Sequence, residues 1–118
     1  MKYMLLIYGD ENAQLSEEDM SADMKRWYEY SDWLVEKGWM RGGDALQPTA
    51  HATSVTARTG ERIVTDGPFA ETKEQLGGYY LLDVDNLDDA IEAAGRCPGA
   101  DYGTIELRPL MELPPLEG

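Results

Sequence analysis

One cysteine, one histidine and one phenylalanine are all that this chain of 118 residues has of those types. Cys97 alone excludes an internal disulfide and suits a reducing compartment, so a cytoplasmic protein is expected. His51 is the only side chain whose ordinary pKa would shuttle protons near neutrality. Its setting between Ala50 and Ala52, just after Pro48-Thr49, reads as a surface loop. Positive charge is also scarce: 10 basic residues stand against 23 acidic ones, for a net charge of −13. Neutralising phosphates needs concentrated basic surface, so neither nucleic acid nor an anionic membrane is an expected partner. The acidic surface is instead what keeps such a chain soluble. No apolar run approaches the ~20 residues of a membrane span, and Met4 to Tyr8 is too short for a signal-peptide core. Ser-His-Asp spacing, a glycine-rich phosphate loop and a Cys/His zinc pattern are all absent. Asp83, Asp85, Asp88 and Asp89 crowd together, but Asn86 and Asp89 are better used to start a helix, so no metal site and no cofactor are expected.

The pattern that is present describes one domain. Lys2 to Tyr8 is a short apolar run ended by Gly9-Asp10, suited to a strand covered on both faces. Ser16 is placed to cap a helix, with Asp19 three residues on and three acids in the first turn. Met20, Met24, Trp27, Ser31, Leu34 and Val35 then fall at helical spacing, flanked by Tyr30 and Trp33, and Gly38 ends the helix. Trp39 to Leu46 reads as a strand that Gly42-Gly43 loosens or bulges. Residues 52–65 alternate on either side of Thr59-Gly60-Glu61 and predict a hairpin. Asn86 caps a second helix whose apolar stripe is Leu87, Ala90, Ile91 and Ala94, ended at Cys97-Pro98-Gly99. Tyr102 to Leu107 is the last strand, and residues 109–118 form a proline-rich tail.

That order, β-α-β-(hairpin)-β-α-β, predicts an α+β fold: a ferredoxin-like β-α-β-β-α-β protomer with two helices on one face of an antiparallel sheet. Residues 79–84 are apolar at both parities, so the sheet face away from the helices needs cover. A second copy packed sheet on sheet would supply it, and a homodimer is expected.

The chain is organised around Thr65 to Asp85. Asp66-Gly67-Pro68-Phe69 is a chain-reversing cluster, Glu71 to Gln75 is a polar connector, and Gly77-Gly78 opens the strand Tyr79 to Asp85. The run D-G-P-F-A-E-T-K-E followed by G-G-Y-Y resembles the signature of the DGPF-domain branch of the YCII-related family. The likeness extends from the opening M-K-Y-M-L-L-I-Y-G-D to the closing E-L-R-P, so a single domain over 1–118 is implied. It implies a dimeric α+β barrel, and also association with an extracytoplasmic-function sigma factor. YCII-related proteins with a His on the first helix and an Asp near the end of the second suggest a dyad. By spacing, those positions fall near Trp27 and on Cys97, so the dyad is not carried over.

Two functions follow as expectations. The first is a small-molecule binding protein or enzyme with a pocket between the sheet and the first helix, a fold-level analogy. Its candidate residues are Trp27, Asp66, Phe69, Glu71 and Lys73, with Phe69 turned inward as the anchor of the turn and the charged heads at the cleft rim. The second is a non-enzymatic regulatory protein that meets a basic partner, with a sigma factor as the partner the resemblance suggests. No catalytic residue is assigned by either.

Overall fold

Four strands, β1 (Lys2–Gly9), β2 (Met40–Ala45), β5 (Gln75–Asp83) and β6 (Thr104–Pro109), form an antiparallel sheet in the order β2-β5-β1-β6. This computed structural model describes residues 1–116. Two helices, α1 (Glu17–Glu36) and α2 (Leu87–Arg96), pack on one face of the sheet. The remaining strands, β3 (Thr53–Thr56) and β4 (Ile63–Asp66), pair only with each other. The expected α+β, ferredoxin-like protomer is therefore present, with the hairpin as a separate arm.

Alternation along the strands decides what touches the helices. Tyr3, Leu5 and Ile7 of β1 lie in register with Leu82, Tyr80 and Gly78 of β5. Leu107 and Ile105 of β6 stand opposite Leu5 and Ile7. The large side chains of this set meet Tyr30 and Leu34 of α1 and Ala90 and Ala93 of α2 in one core. The opposite parity, Met4, Leu6 and Leu81, forms the other face of the sheet.

Each helix is delimited by its expected caps. The Ser16 hydroxyl accepts from the Asp19 backbone N–H at 3.1 Å, and the Asn86 side chain does the same for Asp89 at 2.8 Å. At the far end of α1, the Gly38 N–H donates to Val35 O at 2.9 Å and the Trp39 N–H to Leu34 O at 3.1 Å. This double closure needs a left-handed residue, and Gly38 supplies it with φ 74°.

Several expectations are corrected. In α1 the buried positions are Tyr30 and Leu34, whereas Val35 and the Met20 and Met24 side chains are exposed. Tyr30 wins because its hydroxyl donates to the Ala93 carbonyl at 2.6 Å, which satisfies a buried polar atom while the ring fills the core. In α2 the inward stripe is Ala90, Ala93 and Cys97, with Leu87 and Ile91 exposed. Gly77 and Gly78 lie inside β5, not before it, and β6 starts at Thr104 and runs to Pro109. The irregular tail is therefore shorter than expected, and its last two positions, 117–118, lie outside the described residues.

The largest correction is Phe69, which is 95% exposed and not an inward anchor. The turn that carries it sits on the arm, and the described residues offer it no apolar cover. The turn itself forms as expected, with Gly67 at φ 95°. The Gly67 N–H donates to Ala52 O at 2.7 Å, and the Ser54 hydroxyl to Gly67 O at 2.8 Å.

Candidate functional site

A cavity of about 650 Å³ opens between α1 and the sheet, bounded by the ends of β1, β2 and β5. Its walls are chiefly apolar and aromatic: Ile7, Met20, Met24, Trp27, Met40 and Tyr80 among them. Such a space suits a small organic molecule, the usual content of an apolar cleft with a few convergent polar groups.

The polar groups come from one repeat in α1. Asp23, Trp27 and Ser31 are four residues apart, so all three project from one side of the helix toward the sheet. The Trp27 indole Nε1–H donates to Asp23 Oδ2 at 3.2 Å and lies 3.2 Å from the Tyr102 hydroxyl oxygen. Tyr102, which follows the turn after α2, donates its hydroxyl to the same Asp23 oxygen at 3.3 Å. Asp23 is thus held by two donors and fixed in orientation. Arg26 reaches its other oxygen only at 4.0 Å and makes its short ion pair with Asp101. One turn further on, the Ser31 and Tyr80 hydroxyls share a hydrogen bond of 2.8 Å across the cavity floor. On the opposite face of the sheet, at the β2 edge, the Tyr79 hydroxyl donates to Asp44 at 2.9 Å.

Electrostatics favour neutral tyrosines throughout. Burial raises the Tyr102 and Tyr80 pKa values above the ordinary range, and the hydrogen bond to Asp44 raises that of Tyr79. They stay hydroxyl donors at neutral pH. Asp10, Glu11, Asp23 and Asp44 line the cavity, and among the described residues no lysine, arginine or histidine does. The site is rich in acceptors and has no cation to hold an anionic ligand.

Of the residues singled out from the sequence, only Trp27 lines this cavity. It is half-buried, with part of its ring against the core and part against the open space. Asp66, Phe69, Glu71 and Lys73 are exposed on the arm and its connector, and are not among the lining residues. His51 sits exposed in a short turn, Thr49–His51. Cys97 is buried, and desolvation pushes its thiol up to about 11, so it is an inert core residue. Asp23, Tyr80 and Tyr102 were missed. A signal for Asp23 was available: a carboxylate, an indole and a hydroxyl at i, i+4 and i+8 interrupt a stripe that is otherwise apolar. Tyr102 carried no such signal, because only the tertiary fold brings it to α1.

The comparisons bear on the whole chain. A family model, YCII-related domain, matches residues 1–114. An uncharacterised protein of Rhizobium meliloti is 40% identical over 114 residues, covering 93% of this chain and 92% of its own. Among solved structures, 5-chloro-2-hydroxyhydroquinone dehydrochlorinase from Burkholderia phenoliruptrix, in complex with 2,5-dihydroxybenzoquinone, superposes with a TM-score of 0.51. That match covers 94% of each chain at 9% identity, a likeness of fold. With its fold, its matching span and its relative in agreement, the chain belongs to the YCII-related family.

Proposed function

We propose that the chain binds a small, uncharged, hydroxyl-bearing aromatic molecule in the cavity beneath α1, with Asp23 accepting a proton or hydrogen bond from the ligand. The observation that carries this is the Asp23 carboxylate held by Trp27 and Tyr102 at the wall of an apolar, aromatic space. The aromatic walls suit a flat ring. The acceptor Asp23 suits its hydroxyl hydrogens, and the missing cation disfavours carboxylates and phosphates. The ligand class agrees with the hydroxylated ring named for the dehydrochlorinase of similar fold. Trp27 and Tyr102 orient the carboxylate, and Tyr80 with Ser31 offers a second hydroxyl pair for the far side of the ring. Whatever reaction follows would begin with Asp23 as a general base, the role open to a fixed carboxylate within reach of an acidic hydroxyl. The protein is read as a homodimer, a reading supported by the apolar Met4, Leu6 and Leu81 on the sheet face that neither helix covers, and as cytoplasmic, in keeping with its single cysteine.

Tryptophan fluorescence tests this directly. Anaerobic titration with hydroxyhydroquinone should quench the emission saturably, while benzoate at the same concentrations should not. Asp23→Asn should weaken binding at least tenfold with an unchanged melting temperature. Equal affinity for benzoate, or full affinity in Asp23→Asn, refutes the assignment.

A further inference from the structure

The cavity is left open along α1, and the material to close it lies on the arm. Met20, Met24 and Tyr28 are each more than half exposed, and they form the wall shared by the cavity and by a shallow groove on the outer side of α1. The arm presents the complementary features. Phe69 is 95% exposed at its base, and Val55, Ile63 and Val64 are exposed along it. Near its tip stand Arg58 and Arg62, which pair with no carboxylate among the described residues. In α1, by contrast, seven carboxylates stand against two cations, and Glu17, Glu29 and Asp32 line the outer groove against Lys25 alone.

We infer that the arm of a second copy of this chain lies along α1, seating Phe69 on Met20, Met24 and Tyr28 and so completing the ligand cavity in trans. Length agrees with charge. From Asp66 to Arg62 an extended chain rises about 13 Å, and from Met24 to Asp32 a helix rises about 12 Å. With Phe69 over Met20 and Met24, the two arginines of the tip reach the Glu29–Asp32 end of the helix. The shape of the single chain points the same way. Its radius of gyration is 16.9 Å within extents of 46 × 46 × 18 Å, where a compact domain of this length has about 13.5 Å. An exposed, apolar arm whose tip carries two arginines to one glutamate, on a chain of net charge −13, fits an acidic surface of its own kind. The inference rests on the cavity being a ligand site only for its functional meaning; the contact itself is independent of any ligand.

Cross-linking between copies tests it. Phe69→Cys and Met24→Cys chains are mixed, exchanged through mild denaturant, refolded and treated with a short bis-maleimide; buried Cys97 serves as an internal control. A covalent dimer should form in the mixture, with peptide mapping placing the link between positions 69 and 24. Raised salt should lower the yield several-fold, as should Arg58→Glu combined with Arg62→Glu. A link formed only within a single chain carrying both cysteines means that the arm closes its own cavity, and overturns the proposal. So does a mixture that yields no link, or a protein that sediments as a monomer at micromolar concentration. Failure of hydroxyhydroquinone to bind leaves this result untouched, so the two readings fail separately.

Discussion

The body of the molecule and its arm obey different physics. In the body, Leu5, Leu34 and Leu82 are fully buried and every strand pairs with a neighbour in one four-stranded sheet. In the arm, two strands of four residues each pair only with one another, and all of their residues but Ser54 are exposed. An isolated two-stranded hairpin is marginal in water. Here it is held at its base by the Gly67–Ala52 and Ser54–Gly67 hydrogen bonds. Such a region, which contributes little to its own chain's stability and still carries exposed apolar residues, is the part that the proposed second copy would cover.

The sharpest way to break the comparison is to delete the same kind of group from each region. Leu34→Ala should cost about 3–5 kcal/mol, the usual result of emptying a fully buried aliphatic site. Val64→Ala, on the arm, should change stability by no more than about 0.5 kcal/mol. Urea denaturation of the two variants, at a concentration where the protein is not associated, provides the measurement. Similar losses at both sites would mean that the arm is part of the core after all.

Trp27 stands between these extremes, since its ring meets the core on one side and the cavity on the other. Trp27→Ala should cost about 2–3 kcal/mol, below the figure for a fully enclosed ring because part of its surface is already open. A loss under about 1 kcal/mol in a denaturant series would make it a cavity wall alone.

Alkali should act on the body and spare the arm. Burial raises the Cys97 thiol to about 11 from an ordinary 9.0, and it raises the Tyr30 hydroxyl as well. Both groups are therefore more readily protonated in the folded chain than in the unfolded one. The thiol's contribution to stability is complete below about pH 9 and is lost as pH rises through 11, while that of the Tyr30 hydroxyl begins to fall only above its ordinary 10.0. Unfolding free energies at pH 8, 9, 10 and 11 should decline over that interval, and Cys97→Ser should make the decline shallower. A profile that is flat up to pH 11 would contradict the burial of both groups.

How far the sequence could be read follows the same division. Ser16, Gly38 and Asn86 announced the helix ends because capping is local, and the residues that decide it lie within five positions of one another. The period-two pattern of 52–65 likewise gave the hairpin. Which of several adjacent apolar residues faces inward was harder. Met20, Val35, Leu87 and Ile91 read as core from periodicity, but tertiary packing chose Tyr30 and the small Ala90 and Ala93. The choice depends on which side chains meet the sheet and the other helix, and no helical period encodes those contacts. The cavity's polar groups split in the same way: Asp23 and Trp27 share a helix and were accessible to spacing, whereas Tyr102 is 75 residues from Trp27 in sequence. Phe69 was misplaced for a simpler reason. An apolar ring beside a tight turn is expected inside, and a site buried only against a second chain gives the same signal.

The smallest expected effect is also the most diagnostic of the arm's independence. Gly67 sits at φ 95°, with nothing within 4 Å of where a β-carbon would stand. Gly67→Ala therefore meets no clash, and its penalty is purely one of backbone conformation, about 1–2 kcal/mol for an L-residue held there. In a cooperative core the whole of that penalty would appear in the global unfolding free energy. The arm, however, can open by itself, releasing Gly67 from its bond to Ala52 while the four-stranded sheet stays intact. The strain is then relieved locally, and the global midpoint should move by less than about 0.5 kcal/mol. Hydrogen exchange should show the rest. The amides of 53–56 and 63–67 should exchange roughly tenfold faster in the variant, while those of β1 and β5 keep their protection, a factor that corresponds to about 1.4 kcal/mol. If protection falls equally in β1 and in the arm, the two regions unfold as one and the division drawn between them is wrong.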